Sequence, residues 1–94
     1  MEEILGLKSN EKKGYFYLKV NNSIVAKMTF VFADPRKIII DHTEVNPEYN
    51  GKGFGKKMVE KAVLFAREKN LKILPLCPFA KKVLDKTPAY SDVL

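Results

Sequence analysis

Residues 46–58 read NPEYNGKGFGKKM, and the fold turns on how this stretch is taken. Gly51, Gly53 and Gly55 alternate with other residues, and Lys52, Lys56 and Lys57 surround them. Downstream, Phe54, Met58, Val59, Ala62, Val63, Phe65 and Ala66 recur at helical spacing, so a long helix opens near Phe54. Arg67, Lys69 and Asn70 suit its end. Upstream, residues 37–45 carry an Ile38-Ile39-Ile40 run and read as a strand. Beyond the helix, residues 71–76 (LKILPL) read as a second strand, with Pro75 pointing to an edge or a bulge. A strand, a long helix and a strand make a βαβ crossover, so these two strands should run parallel.

Further out the pattern changes. Residues 15–20 (YFYLKV) are aromatic and β-branched, as in a strand. Asn21-Asn22 is a turn, and residues 24–32 form the second arm of a hairpin. Ala33-Asp34-Pro35 makes the next turn. Residues 8–14 are polar and read as a loop, and residues 79–85 as a short final helix with Pro78 in first place. The expected architecture is α/β (α+β): an antiparallel β-meander, then a βαβ crossover, then a short C-terminal helix.

Ninety-four residues suit one compact domain, 1–94. An apolar fraction of 46 % fits a folded chain rather than a disordered one. No stretch approaches the ~18 apolar residues of a membrane span, and Met1-Glu2-Glu3 is not the basic opening of a secretory signal. The single cysteine, Cys77, excludes an internal disulfide and a multi-cysteine metal site, so no metal is expected. A cytoplasmic protein without a membrane partner is the expectation. The net charge of +6 favours anionic partners.

The glycine turn is neither of the two common phosphate motifs. Lys56 stands where a dinucleotide fingerprint needs its third glycine. A P-loop fails because residue 50 is Asn50 and residue 57 is Lys57. What remains is a glycine turn between a strand and a helix. The first helical amides lack intrahelical partners and carry the positive end of the helix dipole. A lysine in that turn costs about 0.3–1 kcal/mol, so Lys56 and Lys57 are awkward for stability alone. An anion bound to the amides turns the same lysines into an asset.

Residues 50–55, Asn50-Gly51-Lys52-Gly53-Phe54-Gly55, resemble the pyrophosphate loop of the GCN5-related N-acetyltransferases, usually [Gln/Arg]-x-x-Gly-x-[Gly/Ala]. His42-Thr43-Glu44-Val45-Asn46-Pro47, Leu76-Cys77-Pro78-Phe79 and Pro88-Ala89-Tyr90 resemble the very small YjdJ-type branch of that family. The likeness covers about residues 15–94. Asn50 departs from the pattern, which costs a long polar side chain but leaves the backbone cradle. Full-size relatives also carry an N-terminal helical region that shapes the acceptor site, for which this chain has no room. The resemblance implies acetyl-coenzyme A as co-substrate. Its diphosphate would lie on the amides of residues 52–57, with Asn50 and Gly51 beside it, and its pantetheine arm would pair with backbone near Val45. The thioester would enter where the parallel strands part, and an amine would accept the acetyl group.

Acetyl transfer needs a neutral amine, a polarised carbonyl and an acid for the departing thiolate. His42 is the only histidine, and imidazole titrates near neutrality. Simple alternation puts Ile38, Ile40, His42 and Glu44 on one strand face, a pattern that a bulge would change. Glu44 is a second candidate and Asp41 a third. Cys77 reads as a thiol acid, as a nucleophile that carries the acetyl group, or as a small buried hydrophobe. Two other functions fit the chain. One is a coenzyme-A-binding module with little or no catalysis, prompted by the missing acceptor region. The other, less favoured, is a basic nucleic-acid-binding domain, prompted by the charge and by Tyr15, Phe16 and Tyr17 on one strand. The sequence names neither the acceptor nor the oligomeric state.

Overall fold

In a computed structural model, which describes residues 2–33 and 36–94, five strands form one sheet in the order β1-β2-β3-β4-β5. The strands are β1 (Glu3–Ser9), β2 (Lys13–Val20), β3 (Ser23–Ala33), β4 (Lys37–Val45) and β5 (Lys72–Pro75). Helix α1 (Phe54–Lys69) joins β4 to β5, and α2 (Pro78–Asp85) follows β5. Short 3₁₀ turns occupy Pro47–Tyr49 and Pro88–Val93. The first four strands are antiparallel and the β4–β5 pair is parallel, as the crossover requires.

Local chemistry explains most of these boundaries. Asn21 and Asn22 both take positive φ, 50° and 70°, the backbone that a tight hairpin turn needs and that Asn tolerates. Asn70 closes α1 with φ 56°, and the amide of Leu71 reaches back to the Ala66 carbonyl at 2.8 Å. Pro78 sits in the first turn of α2, where its missing N–H costs nothing. Strand β4 runs over the same residues, Lys37–Val45, that the isoleucine run marks.

The polar loop expected at residues 8–14 is much shorter than its composition suggests. Lys8 and Ser9 belong to β1, and Lys13 and Gly14 belong to β2. Only residues 10–12 turn, held by the Asn10 side chain, whose Oδ1 accepts from the amides of Lys12 and Lys13 at 2.8 and 3.0 Å. Strand ends need backbone pairing, not apolar side chains, so polar residues there carry little sign of their state. The turn expected over Ala33-Asp34-Pro35 begins at the end of β3, and Asp34 and Pro35 lie outside the described residues.

One face of the sheet makes the core. Phe16, Leu18, Met28, Phe30, Ile38 and Ile40 pack against the buried stripe Met58, Val59, Ala62, Val63 and Ala66 of α1. Phe65 adds an edge-on contact with Phe16 at 5.8 Å. The two helices share this face through Ala80 and Leu84. Alternation leaves Tyr15, Tyr17, Lys27 and Thr29 on the opposite face, half-buried. Lys27 lies over the Tyr15 ring at 4.5 Å. Of the three aromatics that suggested a nucleic-acid surface, Phe16 is therefore core. No helix among the described residues is long and apolar enough to cross a membrane.

The C-terminal 3₁₀ turn is tied to α1 by Arg67. Its guanidinium donates to both Asp92 carboxylate oxygens, at 3.0 and 2.8 Å, and to the Ala89 carbonyl at 2.8 Å. These hydrogen bonds hold the Asp92 carboxyl below the usual carboxylate range, with desolvation acting against them. The pair is solvent-screened, so its worth is modest. A depressed folded pKa stabilises above the ordinary value and is lost as pH falls through the folded one. Asp92→Asn should therefore lower the melting temperature at pH 7, and the gap to the parent protein should close below about pH 4. Thermal melts at several pH values read this directly.

Candidate functional site

The glycine turn holds the amino end of α1 open. Gly53 is the capping residue with φ 78°, Gly51 has φ 81°, and no side chain caps the helix. A non-glycine residue at either position would be strained. The first helical bond runs from the Lys57 amide to the Gly53 carbonyl at 3.1 Å. The amides of Phe54, Gly55 and Lys56 thus have no intrahelical acceptor. The first turn has no acidic residue to neutralise it. Nothing lies within 4 Å of where a Cβ would stand on Gly51 or Gly53, so the space above the turn is open. Gly55 differs: a Cβ there would meet the Phe79 ring at 2.5 Å, so this glycine lets α2 approach α1.

Beside this helix end is a cleft of about 350 Å³, walled by Val45, Tyr49, Asn50, Lys56 and Phe79 and floored by the glycines. Tyr49 stacks on Phe54 with ring centroids 5.6 Å apart, which fixes the side of the cleft. The approach is pinned as well. The Asn46 amide donates to the Val25 carbonyl at 2.7 Å, and the Asn46 side chain accepts from the Glu48 amide at 3.0 Å.

Lys57 is in the first turn of α1, as expected, but its side chain turns away from the glycine loop. Its amide is spent on Gly53, and its ammonium pairs with Glu3 of β1 at 2.5 Å. As the fourth residue of α1 it already points down the helix, towards the first strand. The Lys52 amide also has an internal acceptor, the Tyr49 carbonyl, at a long 3.4 Å. The set of amides without an internal acceptor is therefore narrower than residues 52–57, and its centre is residues 54–56.

The other half of the site is the parting of the parallel strands. Pairing runs from Lys37 with Lys72 to Ile40 with Pro75 and stops there. The Ile40 carbonyl then accepts from the amides of both Leu76 and Cys77, each at 3.0 Å. Past this point residues 41–45 keep β3 on one side and have no strand on the other. Val45, at the end of this free edge, lines the cleft.

A bulge decides which candidates face the cleft. Thr29 pairs with His42 but Phe30 pairs with Ile40, so Asp41 is an extra residue in β4. The register beyond it flips. Thr43 and Val45, not His42 and Glu44, follow Ile38 and Ile40 on the helix face. His42 and Glu44 instead lie on the open face, opposite Thr29 and Lys27. This corrects the simple alternation. Their side chains are 61 % and 70 % exposed and meet at 3.0 Å, Nε2 to Oε1. Asp41 is engaged by Thr29, whose hydroxyl donates to its Oδ1 at 2.6 Å.

Cys77 is the residue that caps α2, just past the parting, and only 6 % of it is exposed. Its thiol donates to the Thr43 hydroxyl across the gap at 3.3 Å. Sequence reasoning missed Thr43, because only the bulge turns it inward. The alternation itself contained no sign of the extra residue. His42 is not in contact with Cys77; the two stand on opposite faces of the sheet. Chemically, the region brings together an uncapped helix end without acidic residues, a free strand edge and a thiol–hydroxyl pair, with a His–Glu pair on the opposite face.

Comparison with known proteins gives a consistent outcome. A family described as GCN5-related N-acetyl-transferase matches residues 15–93. A GCN5-like protein from Staphylococcus aureus, solved by NMR, is 44 % identical, with 95 % of this chain and 86 % of that one covered and a TM-score of 0.70. A predicted acetyltransferase from Clostridium acetobutylicum, solved with acetyl-CoA, is 25 % identical, with 79 % and 55 % covered and a TM-score of 0.65. A ribosomal-protein-alanine N-acetyltransferase from Brucella melitensis is 18 % identical, with 82 % and 62 % covered and a TM-score of 0.69, a likeness of fold alone. This chain thus spans little more than half the length of the latter two. No curated protein matches significantly.

The two kinds of glycine should respond differently to a methyl group. Gly53→Ala should cost about 1–2 kcal/mol in urea denaturation, because the left-handed backbone is strained whatever the space. Gly55→Ala should cost less than about 1 kcal/mol, since the partly exposed Phe79 ring can turn aside and no positive φ is involved.

Proposed function

The chain belongs to the GCN5-related N-acetyltransferase family, and from that premise we propose that it binds acetyl-coenzyme A and passes the acetyl group to an amine. The observation that carries this reading is the uncapped, acid-free amino end of α1, opening onto the free edge of β4. The residues fit such a ligand. The diphosphate lies on the amides of Phe54, Gly55 and Lys56, close to Gly51 and Gly53, where a Cβ would strain the turn. Asn50, Lys52 and Lys56 surround it. The pantetheine amides pair with the unpartnered backbone of β4 that ends at Val45, as an added strand would. The bound ligand supplies a thioester carbonyl at the parting of β4 and β5.

The chain's own groups then divide the proton work. Cys77 and Thr43 face each other at the parting. A nucleophilic cysteine needs a base within reach, and Cys77 has a hydroxyl instead. We assign it to the departing sulfur, where a held thiol proton stabilises developing charge. His42 and Glu44 stand on the opposite face, the side left free for an acceptor. With Nε2–H donated to Glu44, the His42 Nδ1 keeps its lone pair and takes the amine proton.

Two experiments separate binding from transfer. Titration with acetyl-coenzyme A should shift the backbone amide resonances of residues 51–56 and 41–45. Unmoved resonances there would refute the cofactor assignment. In steady-state assays with a panel of amines, His42→Ala should lower kcat about 100-fold with little change in cofactor affinity. Cys77→Ser should keep more activity than Cys77→Ala, because a hydroxyl still donates. A parent protein that binds the cofactor but turns over no amine is instead a binding module, a reading that the exposure of the His42–Glu44 pair favours.

A further inference from the structure

The face of the sheet opposite the helices carries a concavity of its own, of about 580 Å³, the scale of a small-molecule site. Tyr15, Thr29 and Val31 line its middle. Its sides carry charge of opposite sign: Lys8 of β1 and Lys13 of β2 on one, Asp41 of β4 on the other. Asp41 is the bulge residue, one position past the last β4–β5 pair and one before His42. Tyr15, Thr29 and His42 are direct cross-strand neighbours in one row, so the concavity ends beside the histidine. Opposite charges this close ordinarily meet, as Lys57 does with Glu3 and Lys81 with Asp85. Among the described residues, none of Lys8, Lys13 and Asp41 has an ionic partner within 4.0 Å. Two strand spacings, about 10 Å, separate Asp41 from Lys13, and three, about 14 Å, separate it from Lys8. Both sides are also held where they are. Thr29 engages Oδ1 of Asp41, and the Asn10 side chain pins the turn between the two lysines.

We propose that this concavity selects the acceptor, and that the acceptor is a small amino carboxylate. Its amine donates to Asp41 beside His42, and its carboxylate lies between Lys8 and Lys13. This rests on the acetyl-transfer reading and narrows the acceptor from any amine to one class. A ligand with a donor at one end and an anion at the other satisfies both sides at once. A polyamine would satisfy Asp41 but meet repulsion from both lysines. In the step, the amine nitrogen bonds to the acetyl carbon while the carbon–sulfur bond breaks. The amine proton passes to His42, the departing sulfur takes the Cys77 proton, and solvent returns both groups to their starting state. Asp41, Lys8 and Lys13 hold the acceptor and exchange no proton in this step.

Steady-state assays of the whole chain with acetyl-coenzyme A, at one salt concentration, test this. γ-Aminobutyrate and 6-aminohexanoate are compared with butylamine and hexylamine, which match them in length and lack the carboxylate. In the parent protein kcat/KM should favour the amino carboxylates by about tenfold or more, the scale of a charge-assisted contact. In Lys8→Ser/Lys13→Ser the ratio should fall to about one, through a raised KM for the amino carboxylates with their kcat kept and the melting curve intact. Equal kcat/KM for the two classes in the parent protein would overturn the inference and leave the acetyl-transfer reading standing. So would a double variant that slows both classes by the same factor, and so would turnover of other amines but none of these four. If the parent protein acetylates no amine at all, the transfer reading fails, and the acceptor assignment with it.

Discussion

The Ile40 carbonyl is the hinge of this architecture. It accepts from two successive amides, Leu76 and Cys77, and is the last link between the parallel strands. Pro75 cannot donate to the ladder, so the pairing ends where the proline stands. One residue further on, Asp41 bulges out of β4. A strand that loses its neighbour and gains an extra residue in succession must turn away. The gap that opens is bordered by a free strand edge, by the cap of α2 and by the start of α1. Had β5 continued in register, it would have paired with the edge of β4 that ends at Val45.

Stability and function pull against each other at the start of α1. A helix end without a cap, with Lys56 and Lys57 in or next to its first turn, is a poor solution for folding alone. The cost is contained rather than removed. Glu3 reaches from β1 to neutralise Lys57, Tyr49 stacks on Phe54, and the buried face of α1 anchors the helix on the sheet. The two positive-φ glycines keep the turn tight without placing a side chain over the amides. The exposed positive end is thus held in place by apolar packing behind it, with its hydrogen-bonding capacity unmet within the chain.

The sheet divides the chemistry between its faces. Helices cover one face, and the cleft, the thiol and the hydroxyl of Thr43 belong to it. The other face keeps Tyr15, Tyr17 and the His42–Glu44 pair. The gap beyond the last β4–β5 pair lies between these two faces.

From Tyr15 onward the sequence by itself determined the element types and their order, because these depend on local physics: the helical spacing from Phe54, the isoleucine run in β4, the left-handed asparagines, the glycines ahead of the helix. The family likeness was legible in the same glycines and in the segment around Cys77, since backbone approach to a phosphate demands small residues at fixed spacing. What stayed hidden was cooperative. Strand β1 has too little apolar character to declare itself and exists because β2 offers a ladder. The bulge at Asp41 has no sequence mark, yet it decides that Thr43 and not His42 faces Cys77. Lys57 looks like a loop cation until the sheet brings Glu3, 54 positions away, to its ammonium. Such pairings are chosen by the whole fold, because a register or an ion pair between distant residues has no energy until the chain has closed on itself.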